Sequence, residues 1–177
     1  MPHIELTTDT PGIRSLFLYR PETGRPLTEL AEVLLRGDST LTRGERELIA
    51  AYVSRLNDCD FCAWSHGAFA AHQLEDGDDV VAAVHADADS APVSEKVRTL
   101  LRIAGKVQVS GLEVTVDDVT TARAAGASDM EIHDTVLIAA AFCMFNRYVD
   151  GLRVVTPEDP AAYDATAEMI VTAGYLR

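Results

Sequence analysis

The sequence contains little cysteine, little basic charge and no long apolar run, and each shortage excludes a class of protein. Three cysteines in 177 residues, two of them clustered, do not form a framework of structural disulfides. The 15 basic side chains stand against 28 acidic ones, and this net charge of −13 argues against nucleic acid or an anionic membrane as a partner. No apolar run approaches the ~18 residues of a membrane span. The N-terminus lacks the features of a secretory signal, so we expect a cytoplasmic protein.

Signals for helices recur along the chain, whereas signals for strands are almost absent. Thr42-x-x-Glu45, Ser128-x-x-Glu131 and Thr115-x-x-Asp118 are capping boxes, each of which opens an apolar-periodic stretch. Thr156-Pro157 is a further predicted helix start, because proline is favoured at the first helical position. The chain is therefore predicted to be an all-α domain of about seven to eight helices. The predicted helices cover residues 26–36, 42–57, 59–74, 77–86, 93–110, 115–125, 128–150 and 157–173.

The chain is long enough for one well-buried core and short for two. Residues 1–25 are rich in proline and glycine and are predicted to form an extended N-terminal arm. Residues 26–177 are predicted to form a single helical domain.

The residues with the clearest chemistry are Cys59, Cys62 and His66. A Cys-x-x-Cys pair in a chain without a secretory signal indicates redox or metal chemistry. At roughly 100° per residue, the three positions lie within about 60° of one another on a helix and share one face. A thiol in the first turn of a helix lies at the positive end of the helix dipole, which favours the reactive thiolate.

Glu47 lies on the preceding predicted helix, on a stripe of small residues opposite its apolar face. If the two helices form an antiparallel hairpin, Glu47 and His66 lie at similar depth below the cysteines. His66, held by Glu47, is then able to move the proton that thiol chemistry requires. The alternative interpretation is that Glu47 is a surface acid paired with Arg43 or Arg46.

Metal binding is the main alternative for the cysteine motif. Cys59, Cys62 and His66 supply three ligands, whereas structural zinc takes four. His72 and His85 are the nearest further candidates, and neither continues the cysteine stripe, so no metal site is predicted. Cys143 lies far away in an apolar segment and is expected to be a core side chain.

Glu47 together with Cys59-x-x-Cys62-x-x-x-His66 resembles the alkylhydroperoxidase D (AhpD-like) branch of the carboxymuconolactone decarboxylase family. The segments 41–48, 125–132 and 145–152 agree with this resemblance, which spans about residues 25–155 and favours the peroxidase-related members. It implies a helical fold with a central hairpin carrying the motif, and assembly into trimers or hexamers. It further implies reduction of hydroperoxides without an organic cofactor, using electrons from a dithiol donor such as a lipoyl protein.

The resemblance also implies a role for each candidate catalytic residue. Cys62 resembles the cysteine that reacts with peroxide, and Cys59 resembles its more exposed disulfide partner. Glu47 and His66 resemble the proton relay. Well-studied members have a histidine between the cysteines, where this chain has Phe61.

Because Phe61 replaces the histidine of the well-studied members, two other functions are considered. One alternative is a thiol–disulfide carrier or redox sensor that does not consume peroxide. A further alternative is a lactone decarboxylase of the wider family, which works without a cysteine pair.

Overall fold

The computed structural model describes residues 1–176, and within that range every regular element is helical. The prediction of an all-α fold is therefore confirmed. No helix in this range combines the length and the apolar character needed to cross a membrane. The α-helices are α1 (Ile13–Tyr19), α2 (Pro21–Arg36), α3 (Arg43–Leu56), α4 (Asp60–Ala71), α5 (Gly77–Ala86), α6 (Glu95–Val109), α7 (Val116–Ala124), α8 (Asp129–Gly151) and α9 (Ala161–Ala173), and a short 3-10 turn covers Gly111–Glu113.

The three predicted capping boxes begin α3, α7 and α8. At α3, the Glu45 backbone N–H donates to Thr42 Oγ1 at 3.1 Å, and the Thr42 N–H donates back to Glu45 Oε2 at 2.7 Å. The same reciprocal pair of bonds is present at α7 and at α8. These starts were predictable because each box satisfies its backbone donors within four residues.

The N-terminal region differs from the predicted extended arm. Residues 13–19 form α1, and α2 begins at Pro21 instead of residue 26. Pro21 occupies the first helical position, where its missing N–H leaves no bond unmade, and Pro26 is accommodated inside the helix. Within residues 1–25, only residues 1–12 and Arg20 lie outside the helices. Pro21, which favoured an extended arm, instead marks the start of a helix.

One other predicted helix start is wrong. The last helix begins at Ala161 and not at Pro157, since the Pro157 carbonyl accepts the hydroxyl of Tyr163 at 2.7 Å. In the turn between α3 and α4, Asp58 has a left-handed φ of +55°, and Cys59 takes the N-cap position of α4.

The helix pair α3–α4 forms the centre of the fold. Residues 57–59 join the two helices, and the Cys59 N–H donates to the Ser54 carbonyl at 3.0 Å to close the hairpin. Helix α3 also packs against α6 and α8, and α9 covers the outer side of α4. The main core lies between α3, α6 and α8. A second, smaller apolar cluster encloses the two cysteines.

Candidate functional site

Glu47 and His66 form a buried pair between α3 and α4. His66 Nδ1 lies 2.6 Å from Glu47 Oε2, and Glu47 is only 1% exposed. The predicted contact between the two side chains is thus present. The alternative that Glu47 is a surface acid paired with Arg43 or Arg46 is wrong.

Aromatic side chains fix the orientation of the His66 ring. The ring of Phe142, from α8, meets it edge-on with centroids 4.5 Å apart, and Phe69 does so at 5.1 Å. Because Nδ1 faces the Glu47 carboxylate, the neutral ring carries its proton there and leaves Nε2 as the acceptor.

The two cysteines lie at the beginning of α4, as predicted. Cys59 caps the helix and Cys62 lies in its first turn. Both side chains are buried, Cys59 completely and Cys62 with 4% exposure. The expectation that Cys59 is the more exposed of the two is therefore wrong for the single chain.

The two thiols are close enough to interact. A hydrogen bond with Cys62 raises the pKa of the Cys59 thiol far above its ordinary value, and burial and nearby negative charge add to the increase. Cys59 therefore holds its proton, and its S–H is able to donate to the Cys62 sulfur. Of the two, Cys62 is better suited to carry a negative charge, since it lies in the first turn of α4.

The N-terminal segment covers the cysteine motif. Leu16 of α1 is fully buried against the two cysteines, and Leu6 packs onto the same cluster. Gly12 approaches the ring of Phe61 so closely that a methyl group at position 12 would overlap it. Beside this contact, an open cleft of about 350 Å³ is lined by residues 1–6, 8–10, Ser15 and Val155. Leu6 belongs to both the cleft and the cysteine cluster.

Tyr163 and Asp150 lie near the cysteines, and the sequence did not predict either contact. The ring of Tyr163 packs edge-on to Trp64, with centroids 5.9 Å apart. Burial, together with the negative charges of Asp60 and Cys62, raises the pKa of Tyr163 to about 12. Burial also raises the pKa of Asp150 at the end of α8, and the neighbouring Cys59 thiol partly opposes this shift. Signals for these contacts are absent from the sequence because α8 and α9 are distant along the chain.

The His66 imidazole and the Cys62 sulfur are neighbours along α4, but no hydrogen bond joins them in the described structure. Cys62 and His66 are one helical turn apart, which places their Cβ atoms about 5–6 Å from each other. Within residues 1–176 no direct hydrogen bond joins the His66 ring to either sulfur. Proton transfer between them requires a bridging water or rotation of the Cys62 side chain.

The additional histidines considered as zinc ligands lie elsewhere. His72 Nε2 contacts Asp164 on α9 at 3.5 Å, and His85 lies on α5 beside Gly67. Over the described part of the chain, no group of three His, Cys, Asp or Glu side chains converges on a common point. Cys143 is partly buried against the main core.

One site residue was missed entirely. The hydroxyl of Tyr175, near the C-terminus, donates to Glu47 Oε1 at 2.6 Å. A tyrosine 128 residues from its partner has no signal in the sequence that links the two. The buried acid is therefore held from two sides.

Comparisons with known proteins agree with this architecture. Residues 21–105 match the model of the carboxymuconolactone decarboxylase family. The fold is similar to the crystal structure of an uncharacterized peroxidase-related protein from Silicibacter sp. TM1040, with a TM-score of 0.78, 27% identity, and coverage of 87% of this chain and 78% of that one. It is also similar to an uncharacterized peroxidase-related protein from Ralstonia eutropha JMP134, described as an alkylhydroperoxidase AhpD core. That structure gives a TM-score of 0.77, 26% identity, and coverage of 85% of this chain and 79% of the other. No curated protein matches the sequence.

Proposed function

Since this chain belongs to the AhpD-like branch of the carboxymuconolactone decarboxylase family, we propose that it is a thiol-dependent peroxidase. Its substrate is a hydroperoxide, and its reaction cycles the Cys59–Cys62 pair between dithiol and disulfide. The observation that carries this proposal is the buried Glu47–His66 pair, one turn along α4 from a first-turn cysteine.

The first step is attack of the Cys62 thiolate on the distal oxygen of the hydroperoxide. His66 Nε2 accepts the thiol proton, and Glu47 stabilises the resulting imidazolium. An S–O bond forms while the O–O bond breaks, so that Cys62 becomes a sulfenic acid. The alkoxide leaves as an alcohol with the proton that His66 returns. Cys62 loses two electrons, and the hydroperoxide gains them.

Cys59 completes the cycle. Its sulfur attacks the Cys62 sulfenic acid, an S–S bond forms, and hydroxide leaves with the Cys59 proton as water. An external dithiol, such as a lipoyl protein, then reduces the disulfide by thiol–disulfide exchange and is itself oxidised to a disulfide. In this order Cys59 remains protonated until it is needed, as its raised pKa requires.

The test is a thiol titration before and after one equivalent of organic hydroperoxide, followed by steady-state turnover with a dithiol donor. Two thiols lost per peroxide, recoverable with reductant, is the expected result. Cys62→Ser and Cys59→Ser abolish turnover, whereas the matched variant Cys143→Ser retains it. Unchanged turnover in both motif variants would contradict the proposal. Lactone decarboxylation that survives the double substitution would instead indicate the wider family's cysteine-independent chemistry.

A second candidate function is supported by Phe61. This apolar ring stands where well-studied members have a histidine, and the N-terminal segment packs onto it. In this function, the covered Cys59–Cys62 pair undergoes thiol–disulfide exchange with a partner protein and acts as a redox carrier or sensor. Rapid exchange with a protein disulfide, combined with negligible peroxide consumption, would favour this function. Stoichiometric zinc in protein purified without chelator would contradict both functions.

We also propose that the chain forms a homo-oligomer, either a trimer or a hexamer. Met130, Leu137 and Met144 follow one another at intervals of seven residues on α8 and are 63%, 38% and 43% exposed. This spacing places them on one face of the helix. Light scattering at micromolar concentration tests the proposal, and a monomer would refute it.

A further inference from the structure

The C-terminal residues bring a third side chain to the Glu47–His66 pair. The Tyr175 hydroxyl donates to Glu47 Oε1 at 2.6 Å, while His66 Nδ1 lies at the same distance from Oε2. A carboxylate only accepts hydrogen bonds, so both neighbours donate to it. Each oxygen of this buried acid therefore has one donor, and the two donors come from segments far apart along the chain.

The position of Tyr175 is fixed by contacts with α2. The Tyr175 backbone N–H donates to Glu32 Oε2 at 2.7 Å. Arg36 donates to the Ile170 and Val171 carbonyls at 2.9 and 3.1 Å, which ties down the end of α9. Since these bonds join segments more than a hundred residues apart, the C-terminal segment is anchored on both sides of the turn that follows α9.

The turn before Tyr175 depends on glycine. Gly174 has a φ of +83°, and a methyl group there would lie 2.7 Å from the Glu32 carboxylate. Only glycine combines the left-handed conformation with this close approach. Because the turn admits no side chain, the chain is able to reverse direction and direct the next residue inward to Glu47.

The phenol is a neutral donor in an apolar setting. Its ring lies 6.4 Å from the His66 ring, nearly parallel to it, and 6.4 Å from Phe69. Burial raises the pKa of Tyr175 well above its ordinary value, and the charge of Glu47 adds to the shift. The hydroxyl therefore keeps its proton and has no role as a base at neutral pH.

From this geometry we infer that Tyr175 is a positioning residue that holds the Glu47 carboxylate in its orientation towards His66. Without the hydroxyl, Oε1 would be buried with no donor, and Glu47 would interact more strongly with an imidazolium. Arg36 and Glu32 of α2, and Arg46 of α3, are the other charged groups nearby. They hydrogen-bond to backbone or to each other and not to Glu47 in the described structure. Tyr175 thereby sets the proton affinity of His66.

The effect of Tyr175 on catalysis rests on the proposed peroxidase function, whereas its effect on the titration of the His66 ring does not. The test is an NMR titration of the His66 ring in the full chain, with Tyr175→Phe compared with wild type. We expect the pH profile of the His66 ring signals to move to higher pH in Tyr175→Phe, because a carboxylate that has lost one donor interacts more strongly with an imidazolium. The matched control is Tyr52→Phe, which removes a hydroxyl packed against Gly105 on α6 and leaves the titration unchanged.

A second variant perturbs the same contact without removing the phenol. Gly174→Ala displaces the C-terminal turn, and we expect it to shift the His66 titration in the same direction. If the protein consumes peroxide, the acidic limb of the pH profile of kcat/KM moves to higher pH together with the His66 titration. Activity near neutral pH then falls about 3- to 10-fold. An unchanged His66 titration in folded Tyr175→Phe would overturn the inference. Absence of peroxidase activity in wild type would refute the proposed function and leave the titration result intact.

Discussion

Gly12 lies directly against the ring of Phe61, the residue that precedes Cys62. This contact joins the N-terminal segment to the Cys-x-x-Cys motif, which it covers. Leu16 is fully buried in the same apolar cluster as the two thiols. Both thiols are buried beneath this segment, so a reagent reaches them when the cover opens.

We predict that Gly12→Ala increases the reactivity of both buried cysteines. The added methyl overlaps the Phe61 ring, and the φ of +67° disfavours any residue with a Cβ by about 1–2 kcal/mol. A loss of this size in local stability raises the population of the open form about 5- to 30-fold. The rate of iodoacetamide labelling at Cys59 and Cys62, followed by mass spectrometry, should increase by that factor.

The matched control for this variant is Gly111→Ala. No atom lies within 4 Å of a methyl group at Gly111, and its backbone is not left-handed, so labelling should not change. Equal labelling rates in Gly12→Ala and wild type would show that the N-terminal segment does not limit access to the cysteines.

Arg46 is predicted to be essential for stability, although it neighbours the candidate site in sequence. Its guanidinium is buried and donates to the Leu34 and Gly37 carbonyls at 3.1 and 2.9 Å, at the end of α2. Arg46→Met leaves both carbonyls without this donor, so we expect a loss of roughly 2–4 kcal/mol in the free energy of unfolding. Urea denaturation measures this loss. Arg43→Met, one turn earlier and exposed, should change stability by less than about 0.5 kcal/mol.

Glu131 is predicted to make the stability depend on acid pH. Burial alone would raise its pKa, but hydrogen bonds from Lys96 at 2.8 Å and from the Ser128 N–H at 2.7 Å lower it to about 2, from 4.5. A carboxyl with a lowered pKa stabilises the fold above its unfolded pKa and loses this effect as the pH falls. The contribution, roughly 2–3 kcal/mol at neutral pH, is therefore lost between about pH 5 and pH 2.

Urea denaturation of wild type and Glu131→Gln at a series of pH values tests this prediction. The stability difference should be constant above about pH 6 and shrink steadily below pH 4.5. Lys96→Met removes the main donor but keeps Glu131 buried. The free energy of unfolding of this variant should therefore depend less on acid pH than that of wild type. A difference between wild type and Glu131→Gln that does not vary with pH would show that Glu131 acts through packing alone.

The sequence predicted those features whose causes are local. The Thr42–Glu45 capping box and the shared face of Cys62 and His66 both follow from spacings of three or four residues. The contact between Glu47 and His66 needed one further assumption, a tight hairpin, and it too is present. Such features depend on helix geometry and not on how distant parts of the chain pack.

The features that the sequence did not predict depend on packing between distant segments. Tyr175 reaches Glu47 because α9 is tied to α2, which no local pattern indicates. The predicted start of α9 was wrong because the Tyr163 hydroxyl donates to the Pro157 carbonyl, and this bond prevails over the helix-start pattern at Thr156-Pro157. The burial of Cys59 similarly follows from where α1 packs.

Asn146 is predicted to hold the turn that carries the cysteine motif. This side chain on α8 is fully buried; its Oδ1 accepts from Asn57 Nδ2 at 2.8 Å, and its Nδ2 donates to Ser54 Oγ at 3.0 Å. Asn57 lies two residues before Cys59, so the bond links α8 to the hairpin turn. Asn146→Ala removes both bonds and opens a cavity, and we expect a loss of roughly 2–4 kcal/mol in unfolding free energy.

A double-mutant cycle separates this link from the general effect of the cavity. Since Asn57 and Asn146 share one hydrogen bond, Asn57→Ala combined with Asn146→Ala should cost at least about 0.5–1 kcal/mol less than the sum of the single losses. The exposed neighbour Arg147 provides the control, and Arg147→Ala should add independently to Asn57→Ala. Additive losses for the Asn57–Asn146 pair would mean that Asn146 stabilises α8 alone, and that the turn before Cys59 is held by its own backbone bonds.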